Sequence, residues 1–437
     1  RRSGAARASG PRAGAVGLLM LATLLVAFAA APDVFIISVD TLRADRLGCY
    51  GHSSPTSPNL DAFAKDALLF EDCVAEVPLT SPSFGAMMTS RYPRMNGAAR
   101  NGLPLPGDVP TLTEQFKNAG YQTACVTSNW TLKADLSGLH RGFDQYDDGF
   151  NKKRWGFLKS ERYADEVTRL ALEMIEKRDP AKPMFAWFHY SDPHAPYRFH
   201  NGLNPSGKAL RKLSDEEATR ARYDSEIAHT DDHLGKLFAA LPKENVIVLF
   251  VADHGESLHE HDYLGHGRRI YQNNMHIPLI LRGPGVAPGR SNAPVRMIDV
   301  APTLLKLAGL PPLPQALGYD ILNDEVPADR PRVFETYGGA VPGVPGAKTM
   351  MASRPPMRQG VIRDGWKLVV GGPEPELFNL TEDPAELKNL YAEEPERADA
   401  LRAQILAWDE SVQKGTAEAA DLSQEDVDAL KSLGYVE

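Results

Sequence analysis

The sequence predicts an α/β fold: a mainly parallel sheet sandwiched by helices, followed by a small C-terminal α+β subdomain. From Asp33 onward, short apolar runs alternate with stretches of helical periodicity, the pattern of strands that cross over through helices into a parallel sheet. Runs such as VFIISV at 34–39 read as buried strands. Asp and His residues recur just past the ends of these runs, the edge at which open α/β sheets hold ligands.

A chain of 437 residues, 43% of them hydrophobic, suits one large α/β domain with an appendage and a sizeable core. The formal net charge of −9 excludes the basic stripe of a nucleic-acid binder. Any anionic partner must therefore be held by local positive charge. Cys49, Cys73 and Cys125 are scattered and odd in number, which excludes a disulfide framework and fits no zinc or redox spacing.

In chain order, RRSGAARASGPR carries four arginines and no acid, and the apolar run 15–31 that follows ends in small residues. That is the outline of an export signal cleaved near Ala31, or of a retained membrane anchor just long enough to span. Residues 33–330 then read as the main domain and 331–437 as the C-terminal subdomain and tail. The first strand, Val34–Val39, ends at Asp40. Helices are expected over Asn59–Phe70, from near Pro82, and over Thr111–Ala119, Arg162–Lys177 and Ser214–Leu241. Strands are expected at Gln122–Thr127, Met184–His189 and Val246–Val251. In the tail, a strand is expected at Gly365–Val370 and helices near Glu394–Asp409 and Ser423–Leu433, with the Gly/Pro-rich stretch Gly338–Pro356 a loop. Lys367 reads as a solvated surface residue.

Three strand ends carry chemistry: Asp40; Asp192 and His194 in HYSDPHAPY; and the adjacent pair Asp253-His254. A buried carboxylate without a cation costs several kcal/mol, and a metal ion removes that cost. Asp oxygens, a Thr oxygen and a His nitrogen form a mixed set suited to a hard or borderline divalent ion. In VPLTSPSFGAMMTSRYP, at 77–93, several hydroxyls precede a short helix. A helix start aims N–H groups and a positive dipole at such a loop, which suits an activated hydroxyl. On local sequence alone, Thr80 or Ser81 reads instead as an ordinary helix cap.

Several motifs together resemble the sulfatases and sulfatase-like hydrolases of the alkaline phosphatase superfamily: SVDTLRADRLGCYG, SPNLDAFAKDALLFEDC, TSPSFGAMMTSRYP, HYSDPHAPY, ADHGESLHEHDYLGHG, PLILRGPG, IDVAPTLLKLAG, RDGWKLV and ELFNLTEDPAELKNL. The resemblance implies an alkaline-phosphatase-like fold and one divalent metal ion held by Asp40, Thr80, Asp253 and His254. It implies His194 and His266 as catalytic groups around an anionic ester, with Arg43 and Asp192 on the substrate side. Aligning the family's signature proline on Pro82 puts Thr80 where sulfatases have a Cys or Ser that becomes formylglycine; Phe84 stands for the signature arginine and Thr41 for a second aspartate. Formylglycine is therefore not expected. The expected activity is metal-dependent hydrolysis of sulfate or phosphate esters through Thr80. A phosphoglycerol- or phosphoethanolamine-type phosphotransferase and a catalytically inactive metal-binding relative are the alternatives. The expected location is outside the cytoplasm, with membrane association through the N-terminal apolar segment.

Overall fold

The computed structural model describes residues 31–150, 161–200, 207–338 and 355–412, all within one compact unit. The apolar run 15–31, save its last residue, lies outside them. Among the described residues no helix is long and apolar enough to cross a membrane.

Strand β1 (Asp33–Val39) occupies the middle of a nine-stranded sheet. It pairs in parallel with β5 (Met184–Tyr190) on one side and β6 (Val246–Ala252) on the other. Beyond β5 come β3 (Gln122–Val126) and β4 (Gln145–Asp147), both parallel. Beyond β6 come β9 (His276–Arg282) and β2 (Leu68–Val74), with β10 (Gly289–Ser291) and β11 (Val295–Arg296) parallel to β2. Only β9 runs against the others among the described strands of this sheet, and the short β7 (Ser257–Leu258) and β8 (Leu264–Gly265) pair with each other outside it. The register decides where the site forms. Val39 lies opposite both Tyr190 and Ala252, so the next residues, Asp40, Ser191 and Asp253, leave the sheet side by side.

Helices cover both faces. Tyr190 hydrogen-bonds Thr168 of the helix Ala164–Glu176, while Trp187 and His189, of opposite parity along β5, touch Phe84 of the helix Thr80–Thr89. Successive strand residues point to opposite faces, so those two helices lie on opposite sides. β1, β5 and β6 are consequently buried along almost their whole length. The helices Leu112–Asn118 and Asp215–Ala240 each start with a capping box, Thr111 with Glu114 and Ser214 with Glu217.

One expected helix is two elements. Over 59–70, the helix runs Pro58–Ala64 and stops, and Leu68–Val74 is strand β2. The apolar side chains of LLFEDCV are drawn into the ladder with β9, and tertiary pairing overrides the local helical pattern.

The C-terminal part is a four-stranded antiparallel sheet in sequence order: β12 (Arg332–Thr336), β13 (Arg358–Arg363), β14 (Trp366–Val370) and β15 (Glu376–Asn379). The β13–β14 turn places Asp364 and Gly365 at φ 51° and 74°, the left-handed pair of a tight hairpin. The helix Pro395–Ser411 covers this sheet with Ala398, Leu401 and Ile405 against Val333, Val361, Leu368 and Leu377. The expected helix at Ser423–Leu433 and most of the expected loop Gly338–Pro356 lie outside the described residues.

Lys367 is not a surface residue. It is fully buried on β14, with its ammonium 2.7 Å from the carboxylate of Glu386 and 3.3 Å from Gln272 Oε1. Glu386 also accepts from the backbone N–H of Gln272 at 2.5 Å. Two further bonds join the C-terminal sheet to the same loop of the main domain: Thr336 Oγ1 donates to Gly267 O at 2.5 Å and Tyr271 OH to Glu376 at 2.6 Å.

Candidate active site

Asp40, Asp253 and His254 are fully buried, and one ligand atom from each lies within 4.8 Å of the other two. Their remaining atoms are held in place. Asp253 Oδ1 accepts from the backbone N–H of Thr41 at 3.1 Å and of His254 at 2.9 Å. Asp40 Oδ2 accepts from the side-chain amide of Asn129. His254 Nδ1 faces the Gly255 carbonyl at 2.9 Å, so Nδ1 carries the proton and Nε2 offers its lone pair. The leftover atoms are Asp40 Oδ1, Asp253 Oδ2 and His254 Nε2, all buried with no hydrogen-bond partner. His254 Nε2 is 3.9 Å from the first and 3.4 Å from the second.

Burial and the charge of Asp40 push the Asp253 carboxyl up to about 7. Burial opposes ionisation of Asp40 as well, but His194, His189 and His254 hold its carboxyl well below the usual range. Two carboxylates and a lone pair converging away from water form a set that a cation would relieve. The donor chemistry fits a divalent ion of hard or borderline character.

Thr41, beside this cluster, has φ 54° and a buried hydroxyl oxygen without a partner. A β-branched residue in the left-handed region is strained, and such strain persists only where surroundings impose it. Here the Tyr223 hydroxyl donates to Thr41 O at 2.6 Å and accepts from Arg43 N at 3.0 Å, while Thr41 N is fixed by Asp253.

The helix Thr80–Thr89 is buried at every residue, and its N-cap is Leu79, with no side-chain cap. Thr80 and Ser81 are therefore inside the helix, and neither acts as its cap. Ser81 gives both its N–H and its hydroxyl to Asn101 Oδ1, at 3.0 and 2.9 Å. Ser83 Oγ donates to the Asp253 carbonyl at 2.7 Å. Phe84 meets the His189 ring edge-on at 5.1 Å. These contacts seat the first turn of the helix, with buried Thr80 at its start, against the strand end that carries Asp253. The Gly-His-Gly loop lies against the same turn: a Cβ on Gly267, at φ +86°, would come within 3.1 Å of Leu79 Cδ2.

His194 and His266 complete the assembly. His194 Nδ1 is 3.0 Å from Glu161 Oε1 and 2.7 Å from Ala195 O. His266 Nδ1 is 3.0 Å from Glu256 Oε1. The His266 ring lies 4.5 Å from that of His254 and 5.2 Å from that of His194. Burial opposes protonation of His194, but the charges of Glu161 and Asp40 outweigh it and push the imidazole up to about 10. Burial likewise opposes ionisation of Glu256, and His266 and His194 hold its carboxyl below the usual range. The result is an arc of imidazoles from the carboxylate cluster outward, suited to oxygens of an anion.

Arg43 and Asp192, expected on the substrate side, are each held by groups of the protein itself. Buried Arg43 donates from Nε and Nη2 to Asp45, and from Nη1 to Glu260 at 2.8 Å and to the Glu256 carbonyl at 3.1 Å. It pins the loop that leaves β6. Asp192 Oδ2 accepts from Ala164 N at 2.8 Å, at the start of a helix, and its carbonyl accepts from Thr230. Asn129 and Glu161 were not legible in the sequence, since no local motif marks a residue whose partner is brought to it by the fold, and Glu256 lies in the ADHGES motif without its role being read from it.

Residues 32–310 match the family described as Sulfatase. The chain belongs to the sulfatase family. As a member of that family it is an ester hydrolase. It is 33% identical to arylsulfatase K of Gallus gallus, over 85% of this chain and 81% of that protein. It is 26% identical to an ulvan-active sulfatase of Formosa agariphila, over 72% of this chain and 70% of that protein. In structure it resembles the phosphonate monoester hydrolase of Agrobacterium radiobacter with a TM-score of 0.70 at 21% identity, covering 88% of this chain and 97% of the other. The sulfatase-family sheet and its C-terminal appendage are thus those described above.

Proposed function

We propose that this sulfatase-family protein is an exported, metal-dependent hydrolase that uses Thr80 as its nucleophile and prefers phosphate esters to sulfate esters. The observation that carries the reading is the convergence of partnerless Asp40 Oδ1, Asp253 Oδ2 and His254 Nε2 behind the helix turn that begins with Thr80.

Asp40, Asp253 and His254 would hold the metal ion, with Thr80 beside them. A divalent cation supplies Lewis-acid chemistry there, lowering the pKa of a hydroxyl and offsetting charge on ester oxygens. Thr80, deprotonated, attacks the central atom of the ester in line with the leaving alcohol. His266 and His194 donate hydrogen bonds to the ester oxygens, and His194 protonates the departing one. Water then attacks the phosphorus of the threonine ester, the bond from phosphorus to the Thr80 oxygen breaks with its electron pair on that oxygen, and Thr80 returns to the deprotonated form that began the cycle. A threonine ester of phosphate clears by that attack. A threonine sulfate lacks the geminal hydroxyl that expels sulfate from formylglycine, which is why phosphate is preferred. The substrate of the Agrobacterium neighbour, a phosphonate monoester, supports chemistry at phosphorus on this fold.

The test is a side-by-side rate comparison of an aryl phosphate monoester, its diester and the matching aryl sulfate across divalent metals, with mass spectrometry of the Thr80 peptide. Faster phosphate turnover with an unmodified threonine is expected. Sulfate turnover exceeding both phosphates would overturn the preference.

A further inference from the structure

The residue facing His194 comes from a segment with no motif. Asn129 and Glu161 form an isolated antiparallel bridge, reinforced by Arg162 N donating to Ser128 O at 2.9 Å and by Arg162 Nη1 donating to Thr127 O at 2.6 Å. On one side of this bridge the Asn129 amide donates to Asp40 Oδ2. On the other the Glu161 carboxylate sits 3.0 Å from His194 Nδ1, both side chains fully buried. A single backbone pairing therefore supports a metal-ligand candidate and a histidine together.

Two acceptors, the Glu161 carboxylate and the Ala195 carbonyl, face Nδ1 of His194, which fixes the proton on that nitrogen. The carbonyl alone would set the tautomer. What the carboxylate adds is charge: with both side chains fully buried, it favours an imidazolium, whose Nε2 is a donor, over a neutral ring, whose Nε2 is an acceptor. The other charged or titratable groups felt at His194 include Asp40 and Glu256, with the His266 ring 5.2 Å away.

We propose that Glu161 is a positioning residue that holds His194 as a proton donor to the leaving oxygen of the ester. The inference rests on the hydrolase reading above. As the bond between the central atom and the leaving oxygen breaks, its electron pair stays with that oxygen and the proton passes to it from Nε2. His194 is then neutral with Nδ1–H toward Glu161, and it regains a proton from the water that attacks the Thr80 ester.

The experiment compares wild type with Glu161→Gln and Glu161→Asp, using an alkyl and a nitrophenyl ester of the same acid and elemental analysis for metal. An alkyl alcohol needs the proton and a nitrophenolate does not. Glu161→Gln is expected to lower kcat for the alkyl ester at least tenfold more than for the nitrophenyl ester, with metal content kept and partial recovery in Glu161→Asp. Equal losses for both esters would show a structural role only and overturn the proposal. A second readout needs no turnover. In protein labelled with 15N-histidine and loaded with a diamagnetic divalent ion, the Nδ1 proton of His194, identified by its loss in His194→Asn, is expected far downfield and to move upfield in Glu161→Gln. An unchanged resonance overturns the proposal even if no ester is turned over, whereas a shifted resonance in an inactive protein overturns the hydrolase reading alone.

Discussion

Removing the metal should make stability fall as pH rises, and Asp253 sets the size of the effect. In the metal-free protein its folded-state carboxyl is raised from 3.8 to about 7, by burial and then by Asp40. A group whose folded pKa is raised contributes stability that is fully present below the unfolded value and lost as pH climbs through the folded one. The window is therefore roughly pH 4 to 7. Moving one carboxyl from its ordinary value to about 7 corresponds to on the order of 4 kcal/mol, a large share of the 5–15 kcal/mol that holds typical domains folded. Asp253→Asn keeps an oxygen for the N–H groups of Thr41 and His254 but carries no charge. Urea unfolding of chelated protein at several pH values should show a steeper decline in wild type than in the variant, the part that remains coming from groups such as Glu76, whose buried carboxyl is pushed up to about 8 in both, so that chelated Asp253→Asn is the more stable protein at pH 8. Adding a divalent ion should reverse the wild-type loss, with apparent affinity rising about tenfold per pH unit below 7 and levelling above it. Parallel pH profiles for the two chelated proteins would refute the argument that two uncompensated carboxylates meet here.

Thr80→Ala should abolish ester turnover, by about a thousandfold or more, without changing metal content in elemental analysis. Ser81→Ala removes a bond to Asn101 and should cost only about 1 kcal/mol in urea melts; a dead Ser81→Ala with an active Thr80→Ala would shift the nucleophile by one residue. Ser83→Ala removes the bond to the Asp253 carbonyl and should weaken metal binding severalfold, read by competition with a chelating dye. Lys367→Met leaves Glu386 buried without its cation and should cost roughly 3–5 kcal/mol, whereas Lys367→Met with Glu386→Leu should recover most of that stability.

The strands that build the site were legible because β1, β5 and β6 are buried on both faces and so read as unbroken apolar runs. Their ends located Asp40, Asp253 and His254 before any side chain was placed. The long helix with its Ser214 capping box was equally visible, since Ser214 and Glu217 are a local signal. What failed lacked such locality. Leu68–Val74 gains its strand character from β9, some 200 residues on. Lys367 looks like any exposed lysine until Glu386 and Gln272 close around it. Glu161 has no motif because its meaning lies in the position of His194.

The bonds from Thr336, Glu376 and Glu386 to Gly267, Tyr271 and Gln272 have a consequence in time. A chain is made from its N-terminus, and domains begin to fold as they emerge. When His266 leaves the ribosome, the residues that grip its loop have yet to be translated. The carboxylate cluster can form early, because Asp40, Asn129, Asp253 and His254 all precede that loop. The His266 side of the cleft acquires its grip only after Glu386 has been made. The order of synthesis thus puts the candidate metal ligands ahead of the residues that anchor the His266 loop, and the C-terminal sheet is the latch that arrives last.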